Sequence, residues 1–462
     1  MKKMRFFSVL MLFILLFSVF LTPVSATAGS PAVSSGCHSV DATMTLSDEG
    51  KIVDTAKAVV LYELNSGTML YTWNPDEKIY PTSMVKMMTT LVALENGDLD
   101  ETVTIARSVL NQVPIGILGM DLKAGEEISL RDLLYGVMVA SATDAAVVAA
   151  VHVGGSIEGF LQMMNAKAVE LGCKGTNYSN VHGLHDEQTY TTARDICRIT
   201  EAALENETFR TMFQTATYTV SETNKKAERE LITTNHMMNE RNKKYYDPLV
   251  TGGKTGATDQ GGRCLTLTAE KDGMELLCVL MGATPTVAEN GSLSAHGSFE
   301  ESKILIDQAF EKYEFRQVFF DGQSLAQYPV ANGANHVVTQ ATTTVSTILP
   351  VDVDETQLRW HFQEQSESIT APVMKGQKVG TAQVWYGAKC LAQTDMVAMN
   401  AVEEYRAPVI PEKPKSNQSG SWLTLFLILV GLALAVFAGM VGIRAIRIMN
   451  YQRRQKRRGR RR

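Results

Sequence analysis

Several signatures that commonly disclose a function are missing from this 462-residue chain. Its six cysteines (Cys37, Cys173, Cys197, Cys264, Cys278 and Cys390) contain no C-x-x-C pair, so cysteine suggests no zinc site. Their spacing specifies no disulfide pairing, and Cys264 and Cys278 fall in alternating apolar runs that predict buried free thiols. There is no H-E-x-x-H. His182, His185 and Asp186 share a predicted loop without a glutamate base at metalloprotease spacing, so ordinary loop polarity is a simpler account than a zinc peptidase. No long internal repeat is evident, and nothing in the chain calls for a metal or a cofactor.

The body also lacks basic charge. Ten basic residues follow residue 443 (Arg444, Arg447, Arg453, Arg454, Lys456, Arg457, Arg458, Arg460, Arg461 and Arg462), and Lys2, Lys3 and Arg5 precede the first apolar run. Those thirteen leave 31 of the 44 bases against 49 acids in the rest, a balance near −18. An acidic body argues against nucleic acid as its partner.

What is present begins at the two ends, and both address a membrane. After the basic start, Phe6 to Leu21 is apolar, and Pro23-Val24-Ser25-Ala26-Thr27-Ala28 offers small residues for signal-peptidase cleavage. Residues 1–28 are therefore expected to be a signal peptide and 29–50 a loose mature N-terminus. Trp422 to Ile443 is uncharged and about as long as a bilayer core requires. The arginine-rich tail, 444–462, stays cytoplasmic by the positive-inside bias, so the body faces outward, tethered to the cytoplasmic membrane at its C-terminus.

Between the ends, alternation over Ala56 to Glu63, a turn at Asn65-Ser66-Gly67 and a return over Thr68 to Trp73 predict a hairpin. Helical periods follow, from Ser83 to about Glu95, from Leu130 to Val153 with a break at Ser141-Ala142-Thr143-Asp144, over 156–172 and over 191–214. Strands return at Leu249 to Gly256, Arg263 to Glu270 and Met274 to Met281, and Phe299 to Tyr313 reads as an amphipathic helix. Strands at both ends with helices between them imply an α/β body over 51–314, its one sheet built from distant segments and carrying an inserted helical cluster. From 315 to 405 short alternating segments with Gly and Asx turns predict a small all-β domain, and 406–421, rich in Pro, Lys and Ser, is a linker.

Three stretches carry chemistry. Ser83-Met84-Val85-Lys86 is the only S-x-x-K in the chain. At a helix start the two polar side chains share one face, an alcohol beside a potential base, and the surrounding Met84, Val85, Met87, Met88 and Leu91 favour a buried, readily deprotonated lysine. Ser141-Ala142-Thr143 stands at a break between helices, where Ser141 or Thr143 is also an ordinary N-cap before Asp144. Lys254-Thr255-Gly256, with Gly252 and Gly253 before it and Gly261-Gly262 after, puts a lysine and a threonine on a strand along which a substrate backbone can lie.

In this order, in an exported protein, the three sets resemble the S-x-x-K, S-x-N and K-T-G elements of the serine penicillin-recognising enzymes. The finer resemblance is to the low-molecular-weight penicillin-binding proteins, the serine-type D-alanyl-D-alanine carboxypeptidases. It extends through Asn180-Val181-His182-Gly183-Leu184, Tyr190-Thr191-Thr192-Ala193, Lys254-Thr255-Gly256-Ala257-Thr258 and Ala371-Pro372-Val373, covering roughly residues 50 to 405. It implies a serine β-lactamase/transpeptidase-like α/β (α+β) catalytic domain, then the small β domain and the membrane helix. It implies also that Ser83 attacks the bond before a terminal D-alanine of a peptidoglycan stem peptide, that Lys86 takes its proton and that Ser141 relays one to the leaving group. Lys254 would attract and Thr255 bind the substrate's carboxylate, beside Gly256. Ser83 and Ala257 N–H groups would form the oxyanion hole, and β-lactams would acylate Ser83. Where the family usually has asparagine, this chain has Thr143, which lacks the paired donor and acceptor of an amide.

Two rivals share these residues. A catalytically silent wall-binding scaffold would follow if Thr143 disables the cleft. A secreted β-lactamase shares the nucleophile and K-T-G, but the anchor and the β domain weigh against it.

Overall fold

The computed structural model describes residues 52–115, 118–284, 286–287, 293–294, 297–408 and 421–458. The expected signal peptide, the segment 29–50, most of the linker and residues 459–462 lie outside these. The chain forms two units, a body reaching Glu404 and a terminal unit from Tyr405.

At the centre of the body is a five-stranded antiparallel sheet of β1 (Ala58–Glu63), β2 (Thr68–Trp73), β3 (Val250–Thr258), β4 (Gly262–Lys271) and β5 (Met274–Ala283). Its order is β2-β1-β5-β4-β3, so the N-terminal hairpin pairs with the last strand and the long stretch between β2 and β3 is free to form helices. β1 is buried along its whole length because the sheet is covered on both faces, which its unbroken apolar run Ala58 to Leu61 requires. One face (Val60, Leu277, Val279, Met281) packs on the helical cluster. The other (Leu61, Leu265, Leu267, Cys278) packs on the helix Gly297–Lys312 through Phe299, Leu305 and Ile306.

The helical cluster surrounds α1 (Val85–Asn96), where every residue from Val85 to Ala93 is buried. α2 (Leu130–Met138) and α3 (Thr143–Gly154) meet at the break expected near Ser141, and α4 (Ile157–Glu170) follows. The single helix expected over 191–214 is two, Ala193–Leu204 and Glu207–Gln214. Asn206 divides them, because its carboxamide accepts from Thr208 N and Phe209 N and starts a new helix. Gly97 ends α1 as expected, but in extended rather than left-handed conformation.

From Tyr313 the chain is β-structured, as the loss of helical period predicts. Five antiparallel strands take the order Ser324–Tyr328, Val337–Ala341, Lys389–Ala398, Lys378–Tyr386, Leu358–Glu364, and the pair Tyr313–Phe319 and Val345–Pro350 stands beside them. Cys173, Cys197, Cys264 and Cys278 are buried free thiols.

In the terminal unit one helix runs Ser421–Arg458, and its stretch Trp422–Arg454 is long and apolar enough to cross a membrane. It continues past Ile443, the end of the uncharged run, because Arg444 to Arg458 contains no glycine or proline to stop it.

One buried ion pair ties the segment around Met120 and Glu126 to the strand Arg229–Ile232. Glu126, with no exposed surface, accepts from Arg229 Nη2 at 2.6 Å and from Thr223 Oγ1 at 3.0 Å, and Arg229 Nη1 donates to Met120 O at 3.2 Å. Replacing Arg229 by methionine leaves a buried carboxylate without its cation and is expected to lower stability to denaturant by about 3–5 kcal/mol. The double replacement Glu126→Leu/Arg229→Met is expected to recover most of that loss.

Candidate active site

The site is built around the turn that precedes α1. Pro81 leads into a 3-10 turn, Thr82–Met84, in which Thr82 takes φ +52°, a left-handed value costly for a β-branched residue. Three glycines from distant segments close on this turn. A Cβ on Gly183 would lie 1.9 Å from Thr82 O, one on Gly256 would lie 2.0 Å from Thr82 Oγ1 and 2.7 Å from Ser83 N, and one on Gly261 would lie 2.5 Å from Thr82 Cγ2. Only backbone fits there, and its closeness holds the strained turn with Ser83 half-buried at its centre.

One helical turn on, Lys86 places Nζ 3.4 Å from Ser83 Oγ and donates to His182 O at 2.6 Å. It is 1% exposed. Burial pulls its pKa down to about 7, with the Asp144 carboxylate acting in the opposite sense. Lys254, on β3, is 0% exposed and donates to Ser141 Oγ at 2.8 Å and to Thr255 O at 3.1 Å. Burial, and then the charge of Lys86, hold its pKa well below the usual lysine range.

Ser141 lies between α2 and α3 at φ +56°, again left-handed. Neither it nor Thr143 is the N-cap read from the sequence. The N-cap of α3 is Ala142, which has no side-chain cap bond, and Thr143 is the first helical residue. Asp144 supplies the missing acceptor instead. Its carboxylate takes Ala145 N at 2.8 Å, Met120 N at 2.9 Å and Leu122 N at 3.2 Å, and so ties the loop through Leu118 to the helix start. Ser141 is thereby free to face Lys254. Thr143 is buried, its N–H donating to Leu118 O at 2.9 Å, and its hydroxyl makes no hydrogen bond among the described residues.

These elements form a cavity of about 220 Å³ whose lining includes Ser83, Ser141, Thr255, Gly256 and Ala257, together with Leu118, Thr234, His236, Arg263 and Phe299. The two lysines reach it through the serine hydroxyls. Thr255 Oγ1 donates to Thr234 Oγ1 at 2.6 Å. Among the described residues β3 is an edge strand, so the backbone beside Thr255, Gly256 and Ala257 can pair on its outer side with an extended peptide.

Thr234, His236, Arg263, Phe299 and the His182 carbonyl carry no spacing signal in the sequence. Of these, His182 stood inside the stretch Asn180-Val181-His182-Gly183-Leu184 and Arg263 just after Gly261-Gly262. His182 itself is a neutral imidazole, its pKa depressed to about 4 by burial and then by Lys86, and its Nδ1 accepts from Leu184 N. Among the described residues no three metal-binding side chains converge.

Comparison with known proteins gives two family matches. Residues 45–285 match the family described as D-alanyl-D-alanine carboxypeptidase, and residues 313–404 match the C-terminal domain of penicillin-binding protein 5. A D-alanyl-D-alanine carboxypeptidase of Bacillus subtilis is 30% identical over 352 residues, 75% of this chain and 86% of that protein. One from Haemophilus influenzae is 29% identical over 358 residues, covering 76% and 86%. The solved penicillin-binding protein 5 of Haemophilus influenzae superposes with a TM-score of 0.62 at 28% identity, covering 77% of this chain and 99% of that one.

The close approach to Ser83 is open to test. Gly256→Ala is expected to lower stability by about 1–3 kcal/mol, because a Cβ there would overlap Thr82 Oγ1 at 2.0 Å and Ser83 N at 2.7 Å. Gly155→Ala, at φ +72° with open space around it, is expected to cost about 1 kcal/mol, from backbone strain alone. Thermal melts of the two variants against the native chain read the difference.

Proposed function

The chain belongs to the D-alanyl-D-alanine carboxypeptidase family and is a serine-type D-alanyl-D-alanine carboxypeptidase, and on that premise we propose that Ser83 is its nucleophile and Lys86 its base. The observation that carries this assignment is the Lys86 amine, sealed from water 3.4 Å from the Ser83 hydroxyl, where burial pulls its pKa down to about 7.

In the proposed reaction, the substrate is a peptidoglycan stem peptide ending in D-Ala-D-Ala, laid along the edge of β3. Ser83 Oγ bonds to the carbonyl carbon of the penultimate D-alanine while its proton passes to Lys86. The developing oxyanion is held by the N–H groups of Ser83 and Ala257, each such donor being worth roughly 2.7–4 kcal/mol. That pairing is supported by the closeness of Gly256 to Ser83 N. The C–N bond then breaks, and the departing amine takes a proton relayed through the Ser141 hydroxyl, which Lys254 orients from 2.8 Å. Water adds to the ester, and the shortened peptide leaves as a carboxylate with Ser83 restored. β-Lactams, whose strained amide mimics the scissile bond, acylate the same serine. No resident metal or cofactor takes part in this scheme.

The rest of the chain supports delivery of this body to the wall. We read residues 1–28 as a cleaved signal peptide, 51–314 as the catalytic domain and 315–405 as a β stalk. The terminal helix is the membrane anchor, with the catalytic body extracytoplasmic and the basic tail cytoplasmic.

A penicillin adduct on Ser83, found by mass spectrometry, together with D-alanine release from a pentapeptide, is the direct test. A native chain that does neither favours the wall-binding scaffold instead. The pH dependence is set by Lys86. Burial disfavours its ammonium, so the amine is populated above about pH 7 and lost below it. The kcat/KM for D-alanine release is expected to fall about tenfold per unit below that point and to level above it. An acid limb in the carboxylate range would contradict Lys86 as the base. Thr143 is buried two positions from Ser141 and does not itself line the cavity, and Thr143→Asn, with its longer amide, is expected to raise the acylation rate two- to tenfold, about the worth of one hydrogen bond; no change would mean that the contact is not made.

A further inference from the structure

On the outer side of a membrane, thiols that can reach one another are oxidised to disulfides, so each of the six cysteines of this chain must be accounted for. Cys173, Cys197, Cys264 and Cys278 are free thiols, none more than 7% exposed. Burial pushes the Cys173 and Cys278 thiols up to about 12 and raises those of Cys197 and Cys264 as well. Disulfide exchange needs a thiolate that is open to solvent, and these four are neither ionised nor open.

Cys390 differs in both position and state. It is half-buried on the strand Lys389–Ala398, opposite Trp385 in a hairpin whose turn includes Gly387 at φ +57°, and it is disulfide-bonded. With four of the six cysteines free, one remains in the chain to be its partner: Cys37, which lies outside the described residues. Cleavage after Ala26 or Ala28 leaves Cys37 in the mature chain.

The start of the described body leads that segment to Cys390. Thr55 N and Ala56 N donate to the Glu301 carboxylate at 2.6 and 3.1 Å. Val53 and Ala56 are buried in the same apolar core as Leu391 and Ala392, the two residues after Cys390, and Ile52 and Tyr386 pack against that core. Ile52 is fifteen positions after Cys37, a length of chain that spans about 50 Å when extended.

Resting on the export reading above, we propose that Cys37 and Cys390 form a disulfide that fastens the mature N-terminus to the β domain and closes the catalytic body into one covalent loop. The oxidant is an extracytoplasmic protein disulfide. Its S–S bond and the two S–H bonds of this chain break, one S–S bond forms between Cys37 and Cys390, and the two protons and two electrons leave with the oxidant as a dithiol. Because the loop takes in most of the chain, the bond removes much of the freedom of the unfolded state.

The test uses the full chain, alkylated before extraction and digested without reductant. Mass spectrometry is expected to find Cys37 and Cys390 in one linked pair of peptides that reductant separates. Cys37→Ser and Cys390→Ser are each expected to lower the melting temperature by roughly 5–10 °C. The double variant is expected to fall no further than either single one, and reductant to bring the native chain to the same value without moving the variants. Both sulfurs alkylated in a chain that has lost residues 1–28, additive losses in the double variant, or Cys390 linked to a second copy of the chain overturns the proposal while the export reading stands. Both sulfurs alkylated in a chain that retains residues 1–28 overturns the export reading and the disulfide with it.

Discussion

The desolvation of two lysines in one cleft is the constraint on which the rest of this structure depends. Lys86 and Lys254 are almost wholly removed from water, and each ends within reach of a serine hydroxyl. Burying an ammonium costs several kcal/mol, and two such groups close together oppose each other's protonation. The outcome is an amine beside Ser83 near neutral pH, obtained without a histidine. The helices that seal the site supply the compensation, since each fully buried Leu, Val or Met contributes about 1.5–3 kcal/mol. α1, buried from Val85 to Ala93, needs that much core on every side in order to carry a lysine through it.

Backbone, more than side chains, brings the reacting groups together. Thr82 and Ser141 both take left-handed conformations at non-glycine positions, the one beside the Ser83 hydroxyl and the other presenting its own. Such strain persists only where the surroundings over-determine it. At Thr82 the surroundings are Gly183, Gly256 and Gly261, and at Ser141 they are the Lys254 bond and the loop that Asp144 ties to α3. The cleft therefore joins the helical cluster, which supplies Ser83 and Ser141, to the edge strand of the sheet, which supplies Lys254 and Thr255.

Much of this was legible in the residues. Alternation located the hairpin and β3 to β5, and the 3.6-residue period located α1 and the break before α3, because those patterns are local and each element buries one continuous surface. Local chemistry misled where a nearby side chain took over a role. Ser141 and Thr143 sit where N-caps sit, yet Asp144 satisfies the helix start, and Asn206 divides what reads as one helix.

By itself the sequence determined the order of elements, the S-x-x-K spacing that puts Ser83 and Lys86 on one helical face, and the long apolar run that forms the terminal helix. Tertiary structure alone decided that Lys254 meets Ser141 across 113 positions of sequence, that the His182 carbonyl takes Lys86, and that Thr234 and Arg263 join the cleft. The reason is physical. Periodicity records which face of a segment is buried, whereas the partner it is buried against depends on the pairing of β1 with β5, which closes a loop far longer than any local pattern spans.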